Sequence, residues 1–209
     1  MNFKGFTQSD FDVFQIEGLE GRMNAIKQHV RPKLEQLGEI FAERLTERTN
    51  EDIFFHVAKH ARRKVNPPND TWVAFSTNKR GYKALPHFQI GLFETHVFVW
   101  FAIIYEAPIK VQYAQMIKNN LDDILNHIPK EYVWSIDHMK PEGIQHSTLT
   151  KEQLEKMALR LENIKKAELL CGIHLLRNDP ILKDADAFIQ KVDETFTTLM
   201  PLYRLTKQI

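Results

Sequence analysis

The sequence predicts an α+β fold: a single domain over residues 1–209, with a mainly antiparallel central sheet covered by helices. Three observations predict it. Apolar residues recur at steps of three and four in the first quarter and the last third of the chain, as amphipathic helices require. Between those stretches, short runs rich in Phe, Val, Ile and Trp follow one another, separated by Asn, Pro, Gly and Lys in the manner of successive antiparallel strands. No Gly-, Ser- or Pro-rich linker divides the chain, and it carries no internal repeat.

The elements can be justified in order. Phe6-Thr7-Gln8-Ser9-Asp10-Phe11 reads as a helix start, with Thr7 as cap and Phe6 and Phe11 as a hydrophobic staple. After Gly18, the residues Leu19, Met23, Ile26, Val30, Leu34, Leu37, Phe41 and Leu45 mark a long amphipathic helix, with a kink or break expected at Arg31-Pro32. Strands are expected from Asp52 to Ala58, Thr71 to Thr77, His87 to Phe93 and His96 to Tyr105. The last of these is apolar at both parities, so it belongs at the centre of the sheet with both faces covered.

Pro108 is placed to open a helix whose buried face holds Val111, Ala114, Ile117, Leu121, Ile124 and Ile128. Tyr132 to Ile136 is a short strand. Thr150-Lys151-Glu152-Gln153 is a capping box, stapled by Leu149 and Leu154, and it starts a helix carrying Met157, Leu161 and Ile164. Leu169 to Leu176 reads as a strand. Asp179-Pro180 looks like an N-cap with Pro at the first helical position, ahead of a closing helix marked by Phe188, Val192, Phe196 and Leu199.

Composition excludes several classes. The chain has 209 residues, 43% of them hydrophobic and 26% charged, with eight Gly, nine Pro, one Cys and a formal charge of +1. Such a chain is neither collagen-like, nor disordered, nor a disulfide scaffold. Its charge exerts no global pull on nucleic acid or membrane. The longest apolar run, Val97 to Tyr105, is nine residues, whereas a spanning helix needs about 20. The N-terminus shows no secretory signal, and the unpaired Cys171 suits a reducing compartment. A cytoplasmic location is expected.

Long blocks of the sequence resemble one family. Asp70 to Phe75, His56 to Arg63, Lys79 to Lys83, Pro86 to Gly91, Trp134 to His138 and Lys165 to Gly172 are similar to the YktB-like family of uncharacterised bacterial proteins. The resemblance implies a compact bacterial intracellular protein. It carries over no catalytic residue.

Candidate chemistry therefore rests on the residues themselves. Lys59, Arg62, Arg63, Lys64, Lys79, Arg80 and Lys83 face only Asp70 between positions 59 and 83, a net of +6 that leaves −5 for the rest of the chain. In a meander, Lys59–Lys64 and Lys79–Lys83 fall at opposite ends of a seven-residue strand, roughly 23 Å apart. Two small basic patches are expected. In the second, Gly81 permits a positive φ and a tight loop, Arg80 suits bidentate binding of carboxylate or phosphate, Lys79 and Lys83 add charge, and Tyr82 adds a ring and a hydroxyl.

The strand after this loop alternates. Phe88, Ile90 and Leu92 point one way, His87, Gln89 and Gly91 the other. A pocket floored by His56, His87 and Gln89, and closed by Lys79, Arg80, Tyr82 and Lys83, would hold a small anionic ligand. Two other readings stay open: an enzyme with acid–base histidines (His56, His87, or His138 with Asp137), and a nucleic-acid or protein module using residues 59–83. Sparse aromatics on the basic turns make nucleic acid the weaker partner.

No metal ligands and no cofactor are assigned. His56 and His60 share a strand face but lie ~13 Å apart when extended, and the Glu of an HExxH motif is replaced by Val57. Cys171 and His174 fall on opposite strand faces, so no nucleophilic pair is expected. The sequence has no GxSxG elbow, P-loop or GxGxxG fingerprint. Glu35, Glu39, Glu43 and Glu47 form an acidic row along the long helix, with Arg44 and Arg48 in neighbouring rows.

Overall fold

A computed structural model describes residues 3–209. Its strands are β1 (Phe54–Val57), β2 (Asp70–Ser76), β3 (His87–Phe93), β4 (His96–Ile103), β5 (Val133–Ser135), β6 (Ile144–Gln145) and β7 (Leu169–Leu176). They form one seven-stranded sheet in the order β1-β2-β3-β4-β7-β5-β6, and every neighbouring pair is antiparallel. β4 occupies the middle, where its two apolar faces require it to be. The α+β class and the antiparallel sheet predicted from the sequence both stand.

The helices are α1 (Gln8–Asp12), α2 (Leu19–Ala25), α3 (Arg31–Thr49), α4 (Lys110–Asn119), α5 (Leu121–His127), α6 (Lys151–Asn163) and α7 (Ala185–Leu205). Their apolar stripes gather on one face of the sheet. Leu34, Leu37, Phe41 and Leu45 of α3 and Phe188, Val192, Phe196 and Leu199 of α7 meet Val73, Phe75, Phe88, Ile90, Val99 and Phe101 in the main core. The Phe196 ring sits 4.9 Å from Phe88, 5.5 Å from Phe41 and 6.0 Å from Phe75, centre to centre. On the opposite face Phe93, Phe98, Trp100, Ala102, Ile104, Val133 and Leu170 form a second cluster that contains no helical residue. Loops close that face. Among the described residues no helix is long and apolar enough to cross a membrane.

The capping box at Thr150 with Gln153 forms as expected, and at the expected cap Thr7 a second box forms with Asp10. Four local expectations need correction. Instead of a kink or break at Arg31-Pro32, a π-helical turn over Ile26–Val30 joins α2 to α3. Widening the helix there accommodates a proline ring that cannot donate and that crowds the preceding turn. Pro108 lies ahead of the helix, which starts at Lys110 and breaks at Asn120; Val111 is exposed, and Tyr113 takes its place in the buried stripe.

The third correction concerns Asp179-Pro180, which opens a 3-10 turn (Pro180–Lys183), while Asp184 caps α7 by accepting from the Ala187 N–H. The fourth concerns the acidic row. Arg44 and Arg48 turn away from it to Asp193 of α7, at 3.4 and 2.9 Å. Glu35, Glu39, Glu43 and Glu47 are all exposed, and Glu35 pairs with Arg31. Water screens that row.

Candidate functional site

Two loops on the face without helices, the β1–β2 connection (58–69) and the β2–β3 connection (77–86), build the principal cleft. The first leaves β1 still hydrogen-bonded, with the Ala58 N–H donating to Trp72 O at 2.8 Å. It then reverses at His60, which adopts a left-handed φ of 50°. The His60 ring packs edge-on against Trp72 and lies 3.2 Å from Thr71 Oγ1. Arg63 turns inward to the Asn66 and Pro67 carbonyls, and Arg22 of α2 holds Pro68 O at 2.9 Å.

The second loop is shaped by Asn78. Its side-chain oxygen accepts from the Arg80 N–H at 2.8 Å and its carbonyl from the Gly81 N–H, an Asx-type turn. Gly81 keeps a negative φ, so Asn78 sets this turn rather than glycine. The same Asn78 carbonyl accepts from His56 Nε2 at 2.9 Å, which ties the loop to β1.

The result is a single cleft of about 710 Å³ lined by His56, Lys59, Arg62, Arg80, Tyr82 and Lys83, with Glu106 at its rim. This overturns the expectation of two separate basic patches. The end-to-end distance of β2 does not apply, because both loops fold back over one sheet face and meet there. Of these cations only Lys83 has an acidic partner among the described residues, Glu106 at 3.4 Å. The side chains of Lys59, Arg62 and Arg80 form no ion pair or hydrogen bond among the described residues. Four cations against one carboxylate leave the cleft at +3.

Tyr82 forms its inner wall. Its hydroxyl accepts from Trp72 Nε1 at 2.9 Å, which leaves its own proton free to donate. Burial pushes the phenol pKa up to about 12, so that proton stays in place at neutral pH.

Of the residues expected in the pocket, His56, Arg80, Tyr82 and Lys83 converge as foreseen. Lys79 is exposed and does not line the cleft. His87 and Gln89 are a further correction: they lie under the cleft rather than in its floor, 0% and 3% exposed. The Tyr82 ring covers His87 at 4.8 Å. The His87 Nδ1–H donates to Leu85 O at 2.7 Å, and its Nε2 accepts from Gln89 at 3.0 Å. Burial holds His87 neutral, with its pKa lowered to about 4. Lys59 and Arg62 take the vacated roles. Their signal was the charge count of the basic segment, without a means of knowing where its first loop turned.

The three histidines considered for acid–base work are dispersed. His56 lines the cleft, His87 is sealed below it, and His138 lines a second cavity of about 350 Å³ with Tyr105, Asp137, Arg160, Lys166 and Glu168. There His138 Nδ1 and its backbone N–H both donate to Glu168 Oε2, at 2.7 and 3.0 Å. Burial lowers the imidazole pKa, but the Glu168 hydrogen bond and the charges of Glu168, Asp70 and Asp137 outweigh it, so the net shift is upward. Asp70 is itself pushed up to about 6 by burial. His56 and His60 point to different partners and form no joint metal site.

With this geometry in hand, the chain can be set beside known proteins. Residues 6–203 match the model of a domain of unknown function, DUF1054. A UPF0637 protein of Bacillus cereus strain B4264 is 56% identical over 205 residues, covering 98% of this chain and 99% of that protein. A UPF0637 protein of Bacillus mycoides strain KBAB4 is 56% identical over the same shares, and one of Bacillus thuringiensis strain Al Hakam is 55% identical. These matches agree with the resemblance visible in the sequence blocks, and they span the sheet, both loops and both cavities: the chain belongs to the DUF1054 family.

Proposed function

We propose that the protein binds a small phosphate- or carboxylate-bearing ligand in the cleft between the two loops. One observation carries this reading: Lys59, Arg62 and Arg80, none engaged by a protein acceptor, converge with Lys83 on one cleft. Unpaired cations brought together cost repulsion, and an anion relieves it. Arg62 and Arg80 supply planar, multi-donor heads, Lys59 and Lys83 point charges, and Tyr82 a hydroxyl donor. Binding is favoured over acid–base catalysis because His56 is the one histidine that lines the cleft. A small ligand is favoured over nucleic acid because the cations converge instead of forming a stripe. A cytoplasmic setting suits a chain whose single cysteine is buried and unpaired.

Calorimetric titration of the full chain with inorganic phosphate and pyrophosphate tests this. A charge-assisted hydrogen bond contributes about 1.5–3 kcal/mol, so Arg62→Ala combined with Arg80→Ala should weaken binding at least about tenfold. Raising the salt concentration should weaken the wild-type interaction as well. Equal affinity in the double variant, or no binding of either anion at millimolar concentration, removes the proposal.

A further inference from the structure

The second cavity contains a different kind of site. β5 and β7 pair antiparallel with Ser135 opposite Leu170. Past that last pair the chain turns, with Ser135 Oγ donating to the Asp137 carbonyl, and Asp137 and His138 come to lie beside Glu168. His138, next in the chain, folds back so that both its backbone N–H and Nδ1 donate to Glu168 Oε2. Asp137, His138 and Glu168 thereby each offer one metal-ligating atom, and the three atoms lie within 4.8 Å of one another.

A second observation sets this trio apart from an ordinary acidic cluster. Glu168 is 3% exposed, and its other oxygen, Oε1, is buried with no hydrogen-bond partner. An unsatisfied buried carboxylate oxygen is costly, and native structures rarely leave one without a partner. The residue lines the same cavity as Asp137 and His138. The remaining lining cations, Arg160 and Lys166, do not fill the vacancy: Arg160 donates to the Ile136 carbonyl, and Lys166 forms no ion pair among the described residues.

We infer that Asp137, His138 and Glu168 bind one divalent first-row transition cation, with the buried Glu168 carboxylate as its anchor. Two carboxylates and one imidazole, with no thiolate, suit Zn²⁺ or Mn²⁺ better than Ca²⁺, which prefers six to eight oxygens, or Mg²⁺, which retains much of its water. At metal–ligand distances of about 2.1 Å, tetrahedral donors stand roughly 3.4 Å apart. Donor atoms now up to 4.8 Å apart therefore need to draw together by little more than an ångström. Three protein ligands leave open positions for water or a bound molecule. This site is separate from the anion cleft and does not depend on it, although Tyr105 and Glu106, adjacent in sequence, line one cavity each.

The test uses the full chain, stripped with chelator and dialysed into chloride buffer without phosphate, then titrated with Zn²⁺ and, separately, with Mn²⁺. One equivalent of at least one of these cations should bind, with at least tenfold preference over Mg²⁺ and Ca²⁺. Glu168→Gln, which keeps the shape of the side chain, should weaken binding at least tenfold. Asp137→Asn, at a partly exposed position, should do the same and serves if the Glu168 variant does not fold. His29→Ala, exposed on the π-helical turn between α2 and α3, should leave stoichiometry and affinity unchanged. Absence of binding at 100 μM cation (about ten times a modest micromolar dissociation constant) would falsify the site. So would unchanged affinity in Asp137→Asn, which would place the bound ion elsewhere.

Discussion

At the scale of single residues, four imidazoles on the face without helices are wholly or partly withdrawn from water. His60 and His96 have pKa values lowered to about 4 and His174 to about 3, with burial the first cause in each; His87 behaves alike. In the unfolded chain these groups take protons near 6.5, whereas the folded protein resists protonation until about 4. Between those values the unfolded state binds more protons, so stability is fully present above pH 6.5 and is lost as pH falls toward 4. His87 alone contributes roughly 3 kcal/mol across that window at about 1.4 kcal/mol per pKa unit. Urea unfolding at pH 7.5, 5.5 and 4.5 should show a stepwise fall, and a flat profile would mean these rings are not held neutral. Replacing His87 with Phe should cost about 1–3 kcal/mol, because Leu85 O and the Gln89 amide lose their partner in a buried site.

At the scale of elements, close approach of strands limits what each position accepts. Gly172 of β7 lies between Trp100 of β4 and Val133 of β5. A Cβ there would run into the Val99 carbonyl oxygen, a backbone atom that cannot move without breaking the central ladder. Gly172→Ala should therefore destabilise by about 3 kcal/mol or more, read as a lowered midpoint of thermal unfolding. Gly38 of α3 meets the Phe55 side chain in the same sense, but a half-exposed ring can swing aside. Gly38→Ala should cost less than Gly172→Ala, and the reverse order would mean that α3 and β1 are locked more tightly than the central strands.

At the scale of the molecule, every helical stripe feeds one core on one face of one sheet. Such a chain should unfold as a unit, giving a single calorimetric transition whose van't Hoff and calorimetric enthalpies agree. Two resolved transitions would divide it into separate domains. The same one-sided arrangement concentrates chemistry on the other face. Loops close it, and loops can present Arg62, Arg80 and Lys83 to solvent while the sheet beneath them stays rigid. The cleft opens there, and the Asp137–His138–Glu168 cavity, lined in part by Arg160 of α6, lies across the Tyr105–Glu106 turn from it.

The sequence by itself determined the α+β class, the boundaries of the longer strands to within a residue or two, the central place of β4, the Thr7 cap and the Thr150–Gln153 capping box. Each of these follows from a local period or a contact within four residues. It also determined that positive charge is concentrated between residues 59 and 83, and it grouped His56, Arg80, Tyr82 and Lys83 in one pocket together with Lys79, His87 and Gln89. Only the tertiary structure decided that the chain turns back at His60 and brings Lys59 and Arg62 to Arg80, that Tyr82 seals His87 and Gln89 away, and that Glu168 comes beside Asp137 and His138. The reason is physical. Alternation along a strand tells which side a residue takes, but not which loop will cover that side. Loop paths are set by long-range contacts such as His56 to Asn78 and Arg22 to Pro68, whose partners no periodicity links.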